Sequence, residues 1–367
     1  MKRKIKILAT PGHITETGVA GVDFARVIQP MEHLGKHPDF QVDILTPELD
    51  KFSTVRTWYE RAQKYDVFYL NYNNNPQGFA AMGCMAKKCK KLIVTDLDDN
   101  LWNIKPDNTA FHTFKKGSDG LRTVTAIFNE SDYLTCTNQY LKNVICFNTN
   151  IPHQKVKVFP NYIDLDLYKH RCKTRDDFDI KIVHFGSTSH FADLANKEFM
   201  DGLGLLFNEY PNVHFKTIGA FISEFRNRFG KRYSHGYGSQ SLYTWVKDKY
   251  PEFMDDADIF VTPLVDDIYT MCKSSIKFIE VSAAKIPGVW QDMRQYREVI
   301  KHGKNGYLAK TADDWYRHIK ALVDSVALRK KMGENAFKTV EKDWQMKDRV
   351  EDYANFFRRI VDKNQNV

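Results

Sequence analysis

Cysteine is scarce and unpaired in this chain: six residues (Cys84, Cys89, Cys136, Cys146, Cys172 and Cys272) are spread over 367 positions, with no Cys-x-x-Cys and no histidine at ligand spacing. That excludes a zinc-ribbon site and argues against a disulfide framework, leaving reduced, partly buried thiols. No stretch approaches the run of about 18 apolar residues that a membrane span requires. The N-terminus, MKRKIKILAT, has a short apolar run that leads straight into Pro11-Gly12. It reads as a strand and not as a signal peptide, so a cytoplasmic protein is expected. Internal repeats and low-complexity tracts are also missing. Charge is nearly balanced, 54 Lys and Arg against 46 Asp and Glu, a formal excess of +8. The excess favours anionic partners without selecting among nucleotide sugars, nucleic acid and acidic glycans.

What is present is a regular alternation of short apolar runs and amphipathic stretches. In the first half the runs are Lys4 to Ala9, Val42 to Leu45, Val67 to Asn71, Leu92 to Thr95, Leu134 to Thr137 and Val156 to Phe159. A second series begins at Ile180 and continues through Val213 to Ile218, Ile259 to Pro263 and Gly288 to Trp290. Such alternation predicts α/β units with parallel sheets covered by helices. The polar stretch Tyr168 to Asp179 reads as a linker, giving two doubly wound, Rossmann-like domains, 1–170 and 171–344. Apolar residues near helical spacing, from Val350 to Ile360, predict a closing helix within about 345–367 that packs back on the first domain. Ligands of such sheets bind beyond the carboxyl ends of the strands, here in the crevice between the domains.

The segment after Ile259 to Leu264 is the most informative. A loop, Val265 to Cys272, leads into Lys273-Ser274-Ser275-Ile276-Lys277-Phe278-Ile279-Glu280. Ser274 or Ser275 suits an N-cap, which places free helix N–H groups at the crevice, where a phosphate binds well. Lys273, Lys277 and Glu280, at steps of four and three, share one side of that helix. The lysines suit a diphosphate that gains charge as it departs, and the carboxylate suits the two hydroxyls of a ribose. A solvated Lys–Glu pair is the competing reading of the same spacing.

The order of motifs from Ile180 to about Val340 resembles the donor-binding domain of GT-B glycosyltransferases of family 4. The strand and loop Ile182-Val183-His184-Phe185-Gly186-Ser187 resemble the Gly-Ser loop at the donor phosphates, and His190 and Asp193 continue a subgroup pattern. KSSIKFIEVSAAKIPGVW and KHGKNGYL resemble the nucleotide-holding helix and the turn and strand after it. The resemblance implies a nucleotide-sugar co-substrate, a UDP- or GDP-sugar, held by Gly18, Gly186, Ser187, His190, Lys273, Ser275, Lys277 and Glu280. It also implies retention of anomeric configuration and chemistry without a metal. One departure stands out. The family's E-x7-E spacing, counted back from Glu280, falls on Cys272, and a thiol does not replace a carboxylate.

In the first half, Asp96, Asp98 and Asp99 follow the strand Leu92 to Thr95 at its carboxyl end. Crowded carboxylates there point to water, a cation or a substrate hydroxyl. Asp98 and Asp99 are the candidate catalytic carboxylates, with His13 as a further polar candidate. His13 and Gly18 lie in the glycine-containing loop Pro11 to Gly21, which lacks dinucleotide-fingerprint spacing, so a dehydrogenase is disfavoured. Arg26 is a candidate phosphate or acceptor contact. Two stretches interleave bases with aromatics: Trp102 to Arg122 and Phe225 to Tyr233. They leave open two acceptors, a glycan or small hydroxyl compound and a hydroxymethylated base in DNA. A non-catalytic sugar-nucleotide or nucleic-acid binding protein is the third reading.

Overall fold

The computed structural model describes residues 3–12, 14–15, 18–19, 21–45, 54–72, 76–168, 178–186, 190–236, 254 and 256–365. Within them the chain forms two parallel six-stranded sheets and a small antiparallel hairpin.

The first sheet takes β1 (Ile5–Thr10), β4 (Phe40–Ile44), β5 (Val67–Asn71), β6 (Leu92–Leu97), β7 (Tyr133–Cys136) and β8 (Val156–Val158), in the order β4-β1-β5-β6-β7-β8. The hairpin is β2 (Ile14–Thr15) and β3 (Gly18–Val19). The second sheet takes β9 (Ile180–Gly186), β10 (Val213–Gly219), β11 (Tyr233–Gly236), β12 (Ile259–Thr262), β13 (Gly288–Gln291) and β14 (Tyr307–Ala309), in the order β11-β10-β9-β12-β13-β14. Every residue of β5, β6 and β12 is buried, which explains why these strands read as unbroken apolar runs. β11 was not foreseen. It falls at the end of the stretch read as a basic and aromatic loop, and only its pairing with β10 makes it a strand.

The chain passes between the two halves twice. Ile163 N–H donates to the Trp344 carbonyl at 3.0 Å and Met346 N–H to the Ile163 carbonyl at 2.9 Å, so the two crossings run side by side. After the return, helix Val350–Gln365 lays Tyr353, Phe356, Phe357 and Ile360 into the core of the first sheet. These are the i, i+3, i+4 and i+7 positions of one helix face. Tyr353 stacks on Phe159 with ring centroids 3.9 Å apart. No helix among the described residues is long and apolar enough to cross a membrane.

Candidate active site

A cavity of about 390 Å³ opens between the sheets, and both halves of the chain line it. From the second half come Gly186, His190, Lys273, Ser274, Lys277 and Glu280; Asp98 and Asp99 come from the first.

Helix Ile276–Ala283 buries Phe278, Ile279, Val281 and Ala283, and this leaves Lys277 and Glu280 on the side facing the cavity. Its start differs in detail from expectation. Ser275 sits at the N-cap position but makes no side-chain cap, and Ser274, not Ser275, lines the cavity. The Ser274 Oγ accepts a hydrogen bond from Asn161 Nδ2 at 2.8 Å. Lys273 precedes the helix, 13% exposed, with its Nζ 3.8 Å from Asp99 Oδ1 across the cleft. Burial works to lower the Lys273 ammonium, but the charges of Asp99, Tyr269, Asp193 and Asp98 outweigh it and hold the group above the ordinary lysine range. Lys277 behaves oppositely. Burial lowers its ammonium to about 8, with Glu280 opposing the shift and Lys273 reinforcing it. Two neighbouring lysines thus titrate differently: at Lys273 the surrounding charges outweigh burial, and at Lys277 burial prevails.

Gly186 ends β9 where only a glycine fits: a Cβ there would stand 2.6 Å from the His190 ring and 3.1 Å from His184 Nε2. His190 is oriented by Asp193, Nδ1 to Oδ2 at 2.7 Å. The other Asp193 oxygen accepts from Val265 N–H at 2.9 Å, tying the ring to the loop after β12. Burial, with Lys277 and Lys273 adding to it, pushes His190 well below the usual histidine range, so the ring is neutral. With Nδ1 donating to Asp193, its Nε2 carries a lone pair.

The three aspartates separate by role. β6 extends to Leu97, so Asp96 lies inside the strand and not beyond its end. There it is fully buried and paired with Arg26, Nε to Oδ1 at 2.9 Å and Nη2 to Oδ2 at 2.8 Å. Arg26 gives its remaining contacts to the Phe159 carbonyl and to Asn161. An arginine committed in this way holds the cleft floor and is not a free ligand for phosphate. Asp98 and Asp99, past the strand end, reach the cavity. Burial and the charges of Asp99 and Asp96 push the Asp98 carboxyl well above the usual carboxylate range. Among the described residues no group of three His, Cys, Asp or Glu side chains is placed to hold a metal ion.

Cys272 does not reach the cavity. Its thiol is buried among first-domain side chains, near Asn100 Nδ2 at 3.6 Å, and burial pushes it up to about 11. His13 and Ser187 lie outside the described residues. Gly18 pairs with Thr15 in the small hairpin. The glycine loop is anchored by a residue the sequence reading passed over: Asp23 Oδ1 accepts from Gly12 N–H at 2.7 Å and from Asn71 Nδ2 at 2.8 Å. Tyr72, Tyr162 and Tyr296 also line the cavity. Tyr72 follows β5 and was findable by asking what lies beyond each strand end, whereas nothing local marks Tyr296.

Both stretches considered as nucleic-acid contacts are largely occupied by structure. Phe114 is buried, with Trp102 and Phe111 packed beside it in a first-domain core. Lys105 pairs with Asp267 at 2.5 Å. Phe225 and Phe229 are core residues, Arg228 pairs with Asp201, and Arg232 donates to the Phe207 and Tyr210 carbonyls.

Comparison with known families gives the site its context. Residues 180–325 match the family Glycosyl transferases group 1. Over that span the chain is similar to group 1 glycosyltransferases. Glycosyl transfer is therefore its enzyme class, and the glycosyltransferase domain contains the Gly186 turn, both lysines and Glu280. No curated protein sequence matches the chain. Solved structures are similar over nearly its whole length. HepE from Anabaena, solved in complex with UDP-glucose, is 14% identical, with 97% of this chain and 100% of that one covered and a TM-score of 0.66. A glycosyltransferase from Rickettsia africae is 12% identical over 98% and 99% of the two chains, with a TM-score of 0.65. Sucrose-phosphate synthase from Thermosynechococcus elongatus is 11% identical over 98% and 100%, with a TM-score of 0.62. The shared architecture is GT-B, two Rossmann-like domains about a deep cleft, as the sequence resemblance implied.

Proposed function

We propose that the protein transfers a sugar from a UDP-sugar to a hydroxyl of a glycan or small acceptor, with residues 171–344 holding the donor and 1–170 the acceptor. The observation that carries this reading is the convergence in one cavity of Lys273, Lys277, Glu280 and a helix N-terminus from one side with Asp98 and Asp99 from the other. In this reading the diphosphate lies against the two lysines and the helix start, and Glu280 accepts from the ribose hydroxyls. His190, a neutral acceptor, takes a hydrogen bond from a sugar hydroxyl. As the anomeric C–O bond to the diphosphate breaks, the acceptor oxygen bonds to the same carbon and its proton passes to Asp98. The leaving diphosphate takes up the bonding electron pair, and its added charge is met by Lys273 and Lys277. Retention of configuration accords with the family 4 resemblance. UDP is favoured over GDP by the Anabaena relative solved with UDP-glucose. A DNA acceptor is disfavoured because the aromatics that would stack on bases are packed into cores.

The test is to incubate the purified protein with UDP-, GDP- and ADP-sugars, with and without glycan acceptors or hydroxymethylated DNA, and to follow nucleotide release. Consumption of a UDP-sugar without DNA supports the reading. Turnover only with DNA replaces the acceptor, and no consumption of any donor overturns the assignment.

A further inference from the structure

The loop between β12 and helix Ile276–Ala283 belongs by sequence to the second domain, yet it is seated on the first. Tyr269 and Cys272 are members of a hydrophobic cluster otherwise built from first-domain residues around Leu101, Phe128 and Leu141. Three first-domain asparagines hold the segment: Asn100 Nδ2 donates to the Ile268 carbonyl at 3.3 Å, Asn108 Nδ2 to the Tyr269 hydroxyl at 3.3 Å, and Asn138 Nδ2 to the Cys272 carbonyl at 2.6 Å. Lys105 and Asp267 add an ion pair at 2.5 Å. Each contact joins a side chain of one half to the other half, so the segment is a dock between domains and not a free loop.

Within that dock Tyr269 has a particular place. Its hydroxyl donates to Asp99 Oδ2 at 3.3 Å, and the Lys273 ammonium stands over its ring, 4.8 Å from the centroid. One residue therefore touches both members of the Asp99–Lys273 pair without itself lining the cavity. Resting on the reading of the site given above, we infer that Tyr269 is a positioning residue that holds Asp99 and Lys273 in register across the cleft, so that docking of the segment Asp267–Lys273 assembles the reactive end of the site. The ring fixes the cation by its π face, and the hydroxyl fixes the carboxylate oxygen. Burial and Asp99 keep the phenol well above its ordinary range, so it stays a donor.

The experiment compares Tyr269→Phe, Tyr269→Leu, Asp99→Asn and the double variant Tyr269→Phe/Asp99→Asn. Tyr269→Phe keeps the ring and its packing, and should lower kcat about tenfold or more with donor KM changed less than about twofold. In the double variant the loss should not exceed that of Asp99→Asn alone, because the hydroxyl acts through that carboxylate. Wild-type kcat in Tyr269→Phe, or losses that simply add, would overturn the inference while leaving the glycosyltransferase reading intact. A second measurement needs no turnover. The rate of amine labelling at Lys273, read by mass spectrometry, should rise at least several-fold in Tyr269→Leu while other lysines are unchanged. An unchanged Lys273 rate overturns the inference even if the wild type consumes no donor.

Discussion

The Arg26 guanidinium meets the Asp96 carboxylate edge to edge beneath the cleft, with two hydrogen bonds of 2.9 and 2.8 Å and both side chains removed from solvent. Arg26 lies in a π-helical turn, Phe24–Ile28, and Asp96 in the middle of the first sheet. The pair also holds Asn161, which reaches Ser274 just ahead of helix Ile276–Ala283. Replacing Arg26 with Met leaves a buried carboxylate with only hydroxyl partners. The loss should be about 3–5 kcal/mol of unfolding free energy, measurable by urea denaturation. A loss under about 1 kcal/mol would show that the pair is not structural.

If Lys277 meets the diphosphate as proposed, nucleotide affinity should depend on pH. Its ammonium sits at about 8. Below that pH it is a cation, and above it a neutral amine. A bound diphosphate favours the cation and raises its pKa, so UDP affinity is full below pH 8. Above it, affinity should fall by about tenfold per pH unit until the pKa of the complex is passed. Calorimetric titration of UDP at a series of pH values checks this. Lys277→Met should bind more weakly at neutral pH and show no such slope, while a slope that persists in the variant assigns the proton to another group.

In the proposed mechanism Asp98 sets the acid side of the rate profile. Its carboxyl is pushed above the usual range by burial and by Asp99 and Asp96, and as a base it works only when ionised. kcat should therefore be full above that raised pKa and decline as pH falls through it, at higher pH than an ordinary carboxylate. Asp98→Asn should lower kcat by about 10²- to 10⁴-fold and abolish the acid limb. Retention of the limb in the variant would remove Asp98 from the proton transfer.

In the proposed reading Glu280 accepts from the ribose hydroxyls, and this can be tested directly. Hydrogen bonds to a charged acceptor contribute about 1.5–3 kcal/mol each, so Glu280→Ala should weaken UDP binding by about ten- to a hundredfold with the fold unchanged by circular dichroism. The sharper comparison is with 2′-deoxy-UDP, which the wild type should bind more weakly than UDP and the variant should not distinguish. If the variant still prefers UDP, the ribose is read elsewhere.

Much of the architecture was legible from residue order because buried parallel strands need apolar side chains on both faces. Val67–Asn71 and Leu92–Thr95 were found that way, and so was the closing helix, from its Tyr353, Phe356, Phe357, Ile360 face. Lys277 and Glu280 were legible as neighbours because helical geometry carries them to one side, whereas Lys273, expected on the same helix, lines the cavity from the segment ahead of it. β11 was missed because its strand character comes from its neighbour. Asp96 was grouped with Asp98 and Asp99 because nothing local shows that β6 runs two residues further.

Local sequence, then, determined the two α/β units, the cavity-lining helix with Lys277 and Glu280, and the strand end that presents Asp98 and Asp99. Those properties depend on contacts a few residues apart or on apolar periodicity. Which charges are free was decided only in three dimensions. Arg26 is engaged by Asp96, seventy positions away, and Lys273 faces Asp99 across the cleft. Cys272 is turned into the first domain by asparagines from separate loops. Pairing of distant charges and desolvation in a shared cleft carry no signature in nearby residues, and here they separate the structural ion pair from the site.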